Sequence, residues 1–268
     1  MQNLGRALEL SPRDLETLQQ AALSYVHFRR YAEVAELLDR VCVIEPTQLE
    51  SRVARASIDF DWKADIKPML NVIAEIRAKN PESFGDTTNA RLVCALAERD
   101  AIGAKEALLA LGERPLEDDG GIQFTRSFVE GLIARMAKDD EKAHAAFTAA
   151  RAEQEKIVES QPSFGPPWCV LGLIDAALGR TQEALREGNR AVELVPVKKD
   201  ALRGPVMMKY LAMIAAWAGD KGLACERLAI AIRPPSWVGY GELKLLPWWD
   251  PLRGDPRFEE IVASLAPK

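Results

Sequence analysis

The chain has 268 residues, 48% of them hydrophobic and 28% charged, a balance that excludes general disorder and supports a folded core. Its formal net charge of −5, from 35 basic and 40 acidic residues, excludes a broad nucleic-acid surface, which needs surplus Lys and Arg on one face. Cys42, Cys94, Cys169 and Cys225 are too far apart for a zinc site or a small disulfide framework, so no metal and no cofactor is expected.

The amino terminus, MQNLGRALELSP, lacks a basic region followed by an apolar run and does not read as a signal peptide. No apolar stretch reaches the ~20 residues of a membrane helix, so no direct membrane insertion is expected. The expected location is cytoplasmic. Were a membrane span to lie upstream in a parent chain, it would be extracytoplasmic. Leu4, Ala7, Leu8 and Leu10 before Pro12 read as the second helix of a pair whose first helix is missing. That half-unit predicts a carboxy-terminal part of a longer protein, since a half-repeat leaves an apolar face uncovered.

Proline then acts as a ruler. Pro12, Pro46, Pro81, Pro115, Pro162, Pro196 and Pro234 are separated by 34, 35, 34, 47, 34 and 38 residues. Between most of them an apolar helix, a short turn and a second Ala-rich helix recur, ending at a residue that cannot continue a helix. Between Leu15 and Pro46 the matching positions include Leu18, Ala21, Ala22, Tyr25, Val34, Leu38 and Val41. The copy from Leu49 to Pro81 is weaker, with Arg52 and Arg55 in its first helix and Pro68 near the start of its second. Later copies carry Leu92, Ala95, Ala104 and Leu108, then Gly131, Ala134, Ala143 and Phe147.

The segment Trp168–Pro196 is the clearest copy. Trp168, Leu171 and Gly172 precede the turn Gly179-Arg180, and Ala184, Ala191 and Pro196 follow it. These residues resemble the tetratricopeptide repeat (TPR), whose Trp-x2-Leu-Gly, Ala, Ala, Pro pattern recurs every 34 residues. Gly188 departs from it, standing where the family has a bulky apolar residue. The resemblance implies an all-α, right-handed superhelix of antiparallel helix pairs over residues 1–235, with a capping segment and helix over 236–268.

Two units are irregular. The 47-residue interval predicts an extended second helix near 141–160, packed on the next repeat or projecting to meet another domain. In the tail, Asp255-Pro256 reads as a helix start, and Phe258, Ile261, Val262 and Leu265 form its apolar stripe. The upstream run LLPWWDPL is expected to cover the last repeat, with Trp248 and Trp249 as a ligand-stacking site in the alternative. This tail, with Ala64-Asp65, Pro68, Gly131-Leu132 and Asp200, also resembles the carboxy-terminal TPR regions of bacterial serine/threonine kinases and winged-helix regulators. That likeness implies an upstream kinase or winged-helix domain in the parent chain.

Catalytic chemistry finds little footing, and no catalytic residue is assigned. His27 and His144 are the two histidines, and neither has a nucleophile at local spacing. Asp118-Asp119-Gly120-Gly121 lacks the alternating ligands of a calcium loop and reads as a solvated loop. What the TPR resemblance offers is a concave groove lined by first helices. Projected onto this chain it places His27, Asn89, Phe128, Arg135, Lys209, Met213 and Trp217 there, with Gln19, Leu23, Val26 and Val93. Asn89, Arg135 and Lys209 would orient a peptide backbone or carboxylate. The expected function is thus non-catalytic protein or peptide binding, as the regulatory or sensor arm of a larger bacterial signalling protein. A structural spacer or self-association module, or a cryptic enzyme subunit, are the alternatives.

Overall fold

The computed structural model describes residues 2–267. After α1 (Gln2–Leu10) come six pairs of helices that are neighbours in both sequence and space. They are α2 (Leu15–Val26) with α3 (Tyr31–Ile44), α4 (Leu49–Lys63) with α5 (Lys67–Lys79), and α6 (Thr88–Glu98) with α7 (Ala101–Leu111). A two-stranded antiparallel hairpin follows, β1 (Leu116–Asp118) and β2 (Ile122–Phe124). Then come α8 (Arg126–Met136) with α9 (Asp140–Ser160), α10 (Gly165–Ala177) with α11 (Thr181–Leu194), and α12 (Arg203–Trp217) with α13 (Lys221–Ala231). The tail holds α14 (Tyr240–Leu245), a 3-10 turn Pro247–Leu252, and α15 (Pro256–Ser264). The fold is all-α apart from the hairpin, which the sequence reading missed. No helix among the described residues is long and apolar enough to cross a membrane.

One backbone device repeats in every pair. The turn between its two helices contains a residue in the left-handed region: Arg29, Ala64, Arg99, Lys138, Gly179 and Gly219, with φ from 52° to 89°. Such a residue closes the last turn of a helix and reverses the chain. Glycine does this without steric penalty, so four non-glycine residues at this position need another reason to be there. For Arg29 and Arg99 the reason is visible in the tail.

The long α9 buries Ala143, Phe147, Ala150, Gln154 and Val158 along nearly its whole length. Its later turns are held by α10: Gln154 donates to the Pro167 carbonyl at 3.0 Å, and Arg151 reaches Asp175 at 2.6 Å. The helix packs on its neighbours rather than projecting. Gly188 also has its explanation, since a Cβ there would lie 2.9 Å from both Ile214 and Leu211 of α12. Bulk on α12 replaces the bulk missing from α11.

The tail does more than cover the last repeat. Its α15 packs on α13, as a cap should, but residues 236–252 turn back to the first repeats. Ser236 donates its N–H to the His27 carbonyl at 2.9 Å. The Arg29 guanidinium donates to the carbonyls of Val238 and Ile232, and Arg99 to the Leu245 carbonyl and the Asp250 carboxylate. The two left-handed arginines therefore point their side chains at the returning strap. Gly241 then meets α4 so closely that a Cβ would sit 1.9 Å from the Phe60 carbonyl oxygen.

A buried acid pair lies under α10 and α11. Asp175 accepts from Arg151 and lies 3.3 Å from Arg180 through one carboxylate oxygen. Its other oxygen and one oxygen of buried Glu187 have no partner. Burial, then the Asp175 charge, push Glu187 up to about 8. A proton held on Glu187 satisfies both orphan oxygens at once.

Two outcomes are expected. Gly241→Ala should lower Tm and red-shift tryptophan emission as the strap loses contact with α4. An unchanged melt and spectrum would refute that docking. Glu187 is protonated in the fold at pH values where the unfolded chain has already released its proton. Its contribution is therefore complete below the ordinary glutamate pKa and lost as pH rises towards about 8. Relative to the parent, Glu187→Gln should flatten the fall of stability across that window in urea titrations at stepped pH.

Candidate functional site

Between the strap and the first helices lies a cavity of about 570 Å³. Helix α2 contributes Gln19, Leu23 and Val26, α4 contributes Ser57 and Asp61, and α6 contributes Asn89 and Val93. The hairpin supplies Asp118, Asp119 and Phe124, and α12 supplies Lys209, Tyr210 and Met213. The strap closes the space with Trp237, Glu242 and Trp248. Repeat periodicity is what places one face of α2, α4, α6 and α12 on this wall, because positions three and four apart share a face.

Lys209 is the electrostatic centre and is only 2% exposed. Its Nζ lies 3.2 Å from Asp118, 3.6 Å from Glu242 and 3.8 Å from Asp119. Burial disfavours its charge, but Asp118, Glu242 and Asp119 together win and hold its pKa above the usual lysine value. Asp118 is also desolvated, yet the Lys209 charge and a hydrogen bond from the Tyr210 hydroxyl keep it below the usual carboxylate range. Asp119 is pushed up to about 7 by desolvation and by Asp118. Desolvation raises Glu242 as well, with Lys209 opposing. Asp61 is pushed up to about 8, first by desolvation and then by Asp119 and Glu242. Three carboxyl groups thus share one ammonium, with Asp61 beside them outside ion-pair distance.

The residues assigned to the groove from sequence divide into two sets. Asn89, Lys209 and Met213 line the cavity, as do Gln19, Leu23, Val26 and Val93. His27, Phe128, Arg135 and Trp217 are not among its wall residues. His27 is buried edge-on against Trp237, ring centroids 4.1 Å apart, and burial lowers its pKa. Phe128 is fully buried and stacks on Phe124 at 4.4 Å and on Trp248 at 6.3 Å. Trp217 donates its Nε1 hydrogen to the Trp248 carbonyl at 2.8 Å, and Arg135 lies 4.2 Å over the Trp217 ring. The strap's Trp248 has taken the place where that part of the groove would open. His144 lies exposed on α9.

The expected polarity is also corrected. Lys209 was read as a donor for a partner's carboxylate, but its donors are directed at the chain's own acids. The cavity is acidic with apolar walls. Asp61 and Glu242 gave no sequence signal, and the Asp118-Asp119 turn read as solvated. The available clue was Lys209 itself: a lone ammonium within the apolar stretch PVMMKYLAMIAAW of α12 requires an acidic partner when buried. Among the described residues no set of three or more His, Cys, Asp or Glu side chains is arranged to hold a metal ion.

No protein-family model matches the chain, and no curated protein matches it significantly.

Lys209→Met should be destabilising, because it leaves the surrounding acids without their cation. Breaking a buried pair costs ~3–5 kcal/mol, and acids that partly face a cavity place this one near ~3 kcal/mol. The loss should shrink between pH 8 and pH 5, as Asp119 takes up a proton instead. Denaturant melts at both pH values check this. An equal loss at both would mean that the acids do not depend on Lys209.

Proposed function

We propose that the chain is a non-catalytic binding module of the TPR type, the regulatory or sensor arm of a larger bacterial signalling protein. Its binding site in this reading is the cavity between the first helices and the returning strap. The observation that carries the proposal is the half-open, acid-centred volume on the side where repeat periodicity places a binding groove. A space of about 570 Å³ falls in the usual range for small-molecule pockets, ~300–1,000 Å³. A helix ~10 Å wide would fill it in little more than one turn. The occupant is therefore a side chain, a short extended segment or a small molecule, rather than a docked helix. Further support comes from the helix pairs in series and the proline interval.

Photo-cross-linking in the native host tests the site. A benzophenone side chain at Asn89 should capture a partner, and Val93→Trp, which fills the cavity, should abolish that capture. The same probe at Glu106, exposed on α7, should capture nothing specific. Equal capture from Glu106, or capture at Asn89 that survives Val93→Trp, would move the binding surface elsewhere.

A further inference from the structure

Resting on that reading of the cavity, we propose that its ligand carries an organic ammonium group, the end of a primary alkylamine or of a lysine side chain. The Asp61 carboxylate is its counter-ion, and the apolar walls hold its alkyl stem.

The count of charges is the first step. Lys209 lies within ion-pair distance of Asp118, Asp119 and Glu242 but not of Asp61. Among the described residues, the Asp61 side chain has no hydrogen-bond donor and no cation, yet it forms part of the cavity wall. Asp61 is half-buried at the cavity wall, and a carboxylate partly withdrawn from water with no partner gains by keeping a proton or acquiring a cation. Lys209 shows what the cavity accepts: an ammonium delivered on an alkyl stem from an apolar helix.

The second step is independent of the acids. The same cavity is also lined by Leu23, Val26, Val53, Val93 and Trp237. Such a surface gains from covering methylene groups, and a ring face attracts an ammonium. A hard divalent cation needs six or more oxygen ligands, and Lys209 already stands among the oxygens available. An anionic ligand would meet the net negative charge of the acids. An alkylammonium satisfies both halves of the cavity.

Calorimetry on the full chain tests this with defined probes. Pentylamine and N-acetyl-lysine methylamide both carry the ammonium, while pentanol and hexanoate share the stem without it. At least one of the two amines should bind, and its preference over the other separates a free amine from a lysine side chain as the source. Pentanol should bind about tenfold more weakly or worse, and hexanoate more weakly still. Asp61→Asn should weaken the amine about tenfold without lowering Tm, while Glu36→Gln on exposed α3 should change nothing. Equal binding of amine and alcohol, or an amine that ignores Asp61→Asn, overturns the ammonium assignment and leaves the cavity as a site for another ligand. If Asp61→Asn unfolds the chain, the comparison of amine with alcohol on the parent chain decides. No binding by any probe overturns the assignment too. The cavity reading itself falls on a different result: equal cross-linking from Glu106, or cross-linking at Asn89 that survives Val93→Trp.

Discussion

A single ammonium organises the interior. Lys209 projects from an otherwise apolar helix, and an unpaired charge there would be desolvated at a cost of several kcal/mol. Three acids from two other elements answer it, Asp118 and Asp119 from the hairpin region and Glu242 from the strap. The hairpin between α7 and α8 and the returning tail are thus drawn to one point on α12. Remove the charge and neither has an electrostatic reason to be where it is. Apolar packing then completes the arrangement, with Trp248 stacked between Phe124, Phe128 and Trp217 at centroid distances of 5.9 to 6.4 Å.

The second organising device is the turn. A left-handed residue between paired helices is a local requirement that glycine meets most cheaply, and Gly179 and Gly219 meet it that way. Arg29 and Arg99 accept the backbone penalty and use their side chains to hold the strap's carbonyl groups. The same position therefore serves local chain reversal in every pair and long-range closure in the first and third.

How much of this was legible in the sequence follows from the range of each interaction. Helix pairs, their turns, the Pro68 helix start, the Asp255-Pro256 helix start and the long α9 all depend on residues within a few turns of each other, and they read directly. Asn89, Val93, Lys209 and Met213 share the cavity wall because periodicity fixes which face of a first helix they occupy. The strap did not read. Its contacts with the first repeats span more than 140 residues, and no local pattern announces that Arg99 will meet Leu245. His27, Phe128, Arg135 and Trp217 were assigned to an open groove for the same reason: repeat logic describes a stack without knowing what its own tail will cover. The hairpin was missed because each of its strands is three residues long, too short for an alternating pattern to appear.

The bond between Arg29 and the Val238 carbonyl spans 209 residues. A stack of repeats ordinarily couples only neighbours, so that each unit can form as soon as it leaves the ribosome. Here the first two pairs stay unfinished until the strap has been synthesised, since Ser236, Val238 and Gly241 supply their remaining contacts. Closure converts a chain of nearest neighbours into a ring, in which loosening at one end is felt at the other. Such a molecule should lose its first and last repeats together rather than fray from either terminus.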